Sequence, residues 1–184
     1  MGRPRRIEGY AIVSREGMIS TADGVMPDSL KFEADQRFYH DAVDKADAVA
    51  NGRHSNEGGP RASERPRLVL TRQVPALGAD PTNPKALLWN PAGCRFEQAW
   101  ERLGIDGVLA VVGGSDVFGL FLTIGYDAFF LSRADVSISP GRPVFPGVPQ
   151  KTPESVLSDH GMRRGETRIL DAAAGVAVTQ WVRS

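Results

Sequence analysis

The chain has 184 residues, 41% hydrophobic and 24% charged, and its 22 Lys and Arg balance 22 Asp and Glu. That length fits one domain with a full core. Zero net charge leaves no global field to draw nucleic acid or an anionic membrane, so recognition of an anion has to be local. The single cysteine, Cys94, cannot form an internal disulfide and suits a reducing compartment. No apolar run approaches the roughly 20 residues of a spanning helix, and no apolar signal core follows the basic start Met1-Gly-Arg-Pro-Arg-Arg. A cytoplasmic protein is expected, monomeric or homodimeric, with residues 1–8 as a flexible tail before one domain.

Strand-like and helix-like segments alternate. Gly9 to Ser14 reads as a buried first strand, followed by a Gly-punctuated loop from Arg15 through Pro27. Phe32 to Val43 has helical spacing, with Phe32, Phe38, Tyr39, Ala42 and Val43 on one face. Asp47 to Asn51 is a short strand running into Gly52; a loop is expected over 58–66. Leu68 to Leu70 is a strand ending at Thr71-Arg72, Val74 to Pro84 a loop, and Ala86 to Trp89 a further strand. Arg95 to Leu103 reads as a helix stopped by Gly104. Val108 to Val112 is the most hydrophobic strand and enters Gly113-Gly114, with Ser115 as the expected N-cap of a helix through Leu122. Tyr126 to Ser132 is another strand. After Pro-Gly turns at 140–141 and 146–147, Thr167 to Leu170 and Val176 to Val182 read as a hairpin. The pattern predicts an α/β fold: a mixed, mostly parallel central sheet flanked by helices, with a C-terminal antiparallel hairpin.

In such sheets ligands bind beyond the carboxyl ends of the strands. Val112-Gly113-Gly114-Ser115 has two glycines that let the backbone approach a ligand and a helix start that offers free N–H groups to an anion; a plain strand-to-helix turn fits it equally well. Asn51-Gly52-Arg53-His54-Ser55 repeats the theme, with a guanidinium that can fork onto a phosphate or stand as a surface arginine beside an N-cap. Leu70-Thr71-Arg72 adds a hydroxyl and a second guanidinium at a strand end. Three such strand ends in a neutral protein favour a phosphate-bearing cofactor. Asp35 falls within the apolar helix face, where an acid is costly without a partner. Burial would raise its pKa and suit it to proton donation or substrate orientation; an edge-of-stripe Asp bonded to a loop is the other reading. The three histidines and one cysteine show no metal spacing, and no Gly-x-Ser-x-Gly elbow occurs, so metal hydrolysis and acyl transfer are disfavoured.

In order, these segments resemble the dihydrofolate reductase superfamily, which includes the reductase domain of the riboflavin-pathway deaminase-reductase. The resemblance runs from Gly9 nearly to the C-terminus. It rests on Tyr10-Ala11-Ile12-Val13, a loop through Ile19 to Met26-Pro27, Asp35 with Tyr39 four residues later, Gly52-Arg53-His54-Ser55, Arg65 before Leu68-Val69-Leu70-Thr71-Arg72, Gly113-Gly114 with Phe118, Leu131-Ser132 and Phe145-Pro146. It implies NADPH as cofactor. Gly52, Arg53, His54, Ser55, Thr71 and Arg72 would serve its phosphates, together with the segment Val112, Gly113, Gly114, Ser115, Asp116, Val117 and Phe118. Ala11, Ile19 and Phe118 would lie against its nicotinamide, and the Gly-Gly peptide would be cis. It implies a pterin or pyrimidine substrate contacted by Tyr10, Ala11, Met26, Asp28, Asp35, Tyr39 and Arg65. Asp35 would be the substrate-binding acid, bonded by the Ser132 hydroxyl, and Arg65 would take a folate's glutamate tail, with Arg61 and Arg67 in the same Arg-rich loop as other candidates. Two departures stand out. Asp28 occupies the place of the family's Trp, and the Asp35 alignment needs one extra residue before Gly52, which makes Asp28 a rival acid. The expected activity is hydride transfer from NADPH to a C=N bond, with dihydrofolate as the first substrate and 5-amino-6-(5-phosphoribosylamino)uracil as the alternative. A non-catalytic NADPH-binding regulatory domain is the reading from a different class.

Overall fold

The computed structural model describes residues 2–55 and 61–184. In chain order its strands are β1 (Arg6–Val13), β2 (Met18–Thr21), β3 (Ala48–Gly52), β4 (Arg67–Leu70), β5 (Leu77–Asp80), β6 (Asn83–Trp89), β7 (Val108–Gly113), β8 (Ala128–Arg133), β9 (Gly141–Pro143), β10 (Met162–Asp171) and β11 (Val176–Arg183). Its helices are α1 (Glu33–Asp44), α2 (Phe96–Leu103), α3 (Ser115–Ile124) and α4 (Pro153–Asp159). Nine strands form one sheet in the order β10-β11-β8-β1-β7-β3-β4-β6-β5, and β2 pairs with β9 apart from it. The six central strands run parallel, while β5, β10 and β11 are antiparallel to their neighbours.

The unbroken apolar run of β7 places it at the centre, between β1 and β3, where both faces of a parallel sheet are covered. On one face Leu109 and Val111 join Trp89, Phe96, Phe118, Phe121 and Phe129 in the main core under α2, α3 and α4. On the other, Ala110 meets Tyr10, Val43 and Val49 in a smaller core, against which Phe38 and Tyr39 of α1 pack. α2 ends where expected: Gly104 takes the left-handed conformation (φ 73°), and its N–H donates to Trp100 and Glu101 carbonyls.

Several boundaries differ from the sequence expectation. β1 begins at Arg6, not Gly9. Ile7 is fully buried, its N–H bonds Asp127 Oδ2 at 2.8 Å, and the Arg5 N–H bonds the Gly107 carbonyl at 2.8 Å. Residues 6–8 are therefore strand, not tail. The loop expected over Val74 to Pro84 contains β5 and the start of β6, and the Arg15–Pro27 loop contains β2. Neither β9 nor α4 was expected; α4 starts at a Thr152 cap whose Oγ1 accepts from the Ser155 N–H at 3.1 Å. Ser115 is not the cap of α3. Gly114 holds that position, and Ser115 Oγ donates instead to the Pro143 carbonyl, tying α3 to β9. Among the described residues no helix is long and apolar enough to cross a membrane.

Candidate active site

The parallel strands deliver their carboxyl ends to one edge of the sheet. β3 and β7 are neighbours, with Asn51 in register with Gly113. Their glycine turns meet there: a Cβ on Gly52 would stand 3.7 Å from Ser55 Oγ and 3.8 Å from the Gly114 nitrogen, and one on Gly114 would stand 3.4 Å from Ser55 Oγ. The two turns and Ser55 thus form one concavity lined by backbone, which a side chain at Gly114 would narrow. Gly113 has φ 122°, a region L side chains rarely adopt, and the Gly113–Gly114 peptide is cis. Val117 and Phe118, each 2% exposed, are core residues that back this turn from behind, while Asp116 is exposed. Val112 is half-buried and packs toward the α1 face.

The end of β4 supplies the polar wall. The Arg53 N–H bonds the Leu70 carbonyl at 3.1 Å, joining β3 and β4 where both end. Thr71 is buried and its Oγ1 accepts from the Gln73 N–H at 3.1 Å. With its carboxamide oxygen turned toward Arg53, Gln73 accepts from Nη2 at 3.1 Å and also from Nη1. Arg53, His54 and Arg72 are exposed. Arg53, Ser55 and Gln73 border a cleft of ≈ 520 Å³ floored by Asn51, Val69 and Leu88. The helix start expected after Gly52, like the first part of the 58–66 loop, lies outside the described residues.

Asp35 sits in the first turn of α1 and is 7% exposed; Ser132, near the end of β8, is 2% exposed. Burial pushes the Asp35 carboxyl above its ordinary value, and the Ser132 hydroxyl, hydrogen-bonded to it, pulls it partly back. A helix and a distant strand thus bring the two together. Asp28 has a different environment. It begins a single 3-10 turn, Asp28–Leu30, with its side chain 98% exposed and 2.9 Å from Lys31 Nζ. Ala11, Ile19 and Met26 are half-buried against the main core, and Tyr39 packs on the smaller one with its ring edge-on to His40.

Two expected contacts point elsewhere. The Tyr10 hydroxyl donates to Glu8 Oε2 at 2.6 Å, toward the start of β1, and its ring stacks on Phe130 with centroids 4.9 Å apart. Strand alternation directs its side chain into the α1-side core, and its hydroxyl is engaged toward the start of β1, away from the strand ends. Arg65 donates to the Val43 carbonyl at 2.9 Å and to Asp44 Oδ1 at 2.8 Å, at the end of α1, and holds the Asp44 carboxyl below its usual range. Sequence reasoning passed over Gln73, which no motif marks, and over Glu16. Hydrogen bonds from Ser137, the Ile138 N–H and Ser14 lower the Glu16 carboxyl to about 2 and tie the segment before β2 to the one after β8. Among the described residues no group of three or more His, Cys, Asp or Glu could hold a metal ion.

No protein-family model matches the sequence, and no curated protein matches it. Solved structures do match. A diaminohydroxyphosphoribosylaminopyrimidine deaminase/5-amino-6-(5-phosphoribosylamino)uracil reductase from Thermotoga maritima aligns with a TM-score of 0.66 at 17% identity, over 99% of this chain and 57% of that one. The chain thus spans little more than half the length of that protein. Dihydrofolate reductase from Enterococcus faecalis, complexed with NADP(H) and RAB-propyl, aligns with a TM-score of 0.65 at 18% identity, over 97% of this chain and 96% of that one. With its mostly parallel sheet, flanking helices and terminal hairpin, the chain has a dihydrofolate reductase-like fold.

Proposed function

We propose that the chain is an NADPH-dependent reductase of a C=N bond in a small heteroaromatic substrate. The observation that carries this is the Asp35–Ser132 pair, a buried carboxylate at the end of β8, on the same carboxyl-end edge of the parallel sheet as the glycine concavity of β3 and β7. That concavity fits a pyrophosphate, with backbone N–H groups at the start of α3 as donors. The exposed guanidiniums of Arg53 and Arg72 fit a 2′-phosphate, with Ser55 and Thr71 beside them. The Enterococcus neighbour's NADP(H) supports the same assignment by fold.

NADPH supplies the hydride when bound, and the protein supplies orientation and electrostatics. Asp35 bonds a ring N–H and an amino group of the substrate and so fixes which face of the ring is presented. Its negative charge favours protonation at the ring nitrogen as the carbon is reduced, and Ser132 keeps the carboxylate in place. Ala11 and Ile19 form an apolar wall that excludes water from the reacting face.

Dihydrofolate is the first substrate on this reading, since Asp35, Tyr39 and Gly52-Arg53-His54-Ser55 match that enzyme's motifs. One observation favours 5-amino-6-(5-phosphoribosylamino)uracil as a second reading: Arg65, assigned to a folate tail, already has a carboxylate partner in Asp44. NADPH oxidation followed with each substrate separately is the test. Turnover of either supports a reductase and names the substrate. Firm NADPH binding with turnover of neither would leave the non-catalytic reading.

A further inference from the structure

A second cavity, ≈ 200 Å³, opens between α4 and the terminal hairpin on the sheet face away from Asp35; Arg133, Glu154, Arg164, Thr167, Thr179 and Trp181 line it. Ser132 and Arg133 are consecutive on β8 and so point to opposite faces, which keeps this cavity separate from the site above. The β10–β11 ladder sets its far wall. Arg164 lies opposite Trp181, and Thr167 opposite Thr179. Positions 179 and 181 share a face in any regular strand, but 164 and 167 do not. An irregularity in the ladder between Arg164 and Thr167 inserts the odd residue and turns both onto one side. The two threonine hydroxyls are 2.9 Å apart, and Arg164 Nη2 donates to Thr167 Oγ1 at 3.3 Å.

The charges in the cavity do not cancel. Arg133 is fully committed: Nε and Nη2 form a forked pair with Glu154 at 2.5 and 2.7 Å, and Nη1 donates to the Ser14 and Arg15 carbonyls. Glu154 has both oxygens taken by Arg133; Arg164 also acts on it electrostatically but, among the described residues, has no carboxylate within ion-pair distance, so two guanidiniums face one carboxylate. Trp181 is 5% exposed, and its indole N–H is a buried donor with no hydrogen-bond partner among the described residues. Buried donors are rarely left so, because each costs free energy until an acceptor arrives. A guanidinium in excess of the carboxylates, two hydroxyls and a tryptophan whose N–H lacks a partner, all on residues that line one small cavity, call for an acceptor-rich anion.

We propose that this cavity binds a small oxyanion, inorganic phosphate or a short carboxylate, through the Arg164 guanidinium, the Thr167 and Thr179 hydroxyls and the Trp181 indole N–H. The site is independent of the reductase reading. The chain has three tryptophans, so its ¹H–¹⁵N spectrum holds three indole N–H signals; Trp181→Phe identifies the relevant one. The full chain is titrated with phosphate, and separately with acetate, at constant ionic strength set by chloride. The expected result is a saturable shift of the Trp181 signal with at least one anion. That shift is weakened at least about tenfold in Arg164→Ala, where an exposed arginine is removed, and is unchanged in Arg53→Ala, which reports on phosphate at the glycine concavity. Saturation by phosphate alone assigns a tetrahedral ligand, and by acetate alone a planar carboxylate. No saturable shift with either anion, or an equal shift in Arg164→Ala, overturns the proposal.

Discussion

Replacing Asp35 by Asn separates the chemistry of the site from its shape. Asn has nearly the volume of Asp and keeps an acceptor for the Ser132 hydroxyl, so the start of α1 should hold its position against β8. What disappears is the charge that, on the proposed function, orients the substrate and favours proton uptake at the ring nitrogen. A positioned acid–base group contributes roughly 10²–10⁴-fold to rate, which corresponds to about 2.7–5.4 kcal/mol of barrier. Turnover should fall by that factor, while the Kd for NADPH, whose assigned contacts lie at Arg53, Arg72 and the two glycine turns, should be nearly unchanged. Stability supplies a second readout with a definite sign. Burial raises the Asp35 pKa in the folded protein. The native state therefore holds its proton over a pH range in which the unfolded chain has lost it, and stability falls as pH rises from the ordinary carboxyl value through the raised one. Above that window wild type carries the full cost of an ionised buried carboxylate with one hydroxyl partner, and Asp35→Asn does not. Thermal melts across the window should show wild type losing stability relative to the variant as pH rises. Undiminished turnover in Asp35→Asn, or parallel melting curves for the two proteins at every pH, would refute the role given to this residue.

Arg53→Ala should weaken NADPH by about 10–100-fold, the range for losing charge-assisted hydrogen bonds, and leave NADH almost unaffected; equal losses for the two cofactors in a binding titration would remove Arg53 from the 2′-phosphate. Asp44→Asn takes away the carboxylate that engages Arg65 Nη2. If a glutamate-tailed substrate is the natural one, its KM should drop with kcat unchanged, and steady-state kinetics that stay the same would favour a substrate without that tail. Gly9→Ala tests the core rather than the site. The added Cβ would come within 2.5 Å of Phe129 Cε2 and 2.8 Å of Tyr126 Cε1, both in buried rings. Overpacking of this kind costs about 1–3 kcal/mol, and a denaturation midpoint equal to wild type's would contradict the packing described for that face.

How far the sequence reached depended on whether a feature was local. β7, α2 with its Gly104 stop, and the terminal hairpin announce themselves through runs, spacing and turn residues within a few positions, and each is found there, although β10 begins at Met162, five residues before the expected Thr167. The hairpin of β5 and β6 was hidden because Pro81 and Pro84 made the stretch read as loop; Pro81 lies in the turn between the strands, and Pro84 near the start of β6 precedes the Ala86–Trp89 stretch that pairs with β4. α4 has only seven residues, too short for a helical period to stand out. Ser115 looked like a cap by residue type, but capping needs the side chain turned back to the helix N–H groups, and β9 offers its hydroxyl a carbonyl instead.

The two candidate acids make the same point about the site. Asp28 and Asp35 are chemically identical and seven residues apart, and local sequence leaves both eligible. Their environments are set by partners that the local sequence does not contain. Asp28 opens a 3-10 turn with its carboxylate in water beside Lys31. Asp35 lies in the first turn of α1, one turn before Phe38 and Tyr39, which anchor the helix to the sheet, and that anchoring carries the carboxylate to the end of β8. There it meets Ser132, whose neighbours on the strand face the opposite side. Desolvation by the sheet and a single hydroxyl from a strand far along the chain together give the group a proton affinity and a fixed direction, which an acid needs in order to act on a bound ring. The glycine concavity can position an anion wherever a strand ends in a helix start. On the proposed function, the buried acid is the group that would make an anion-binding edge a site for reduction.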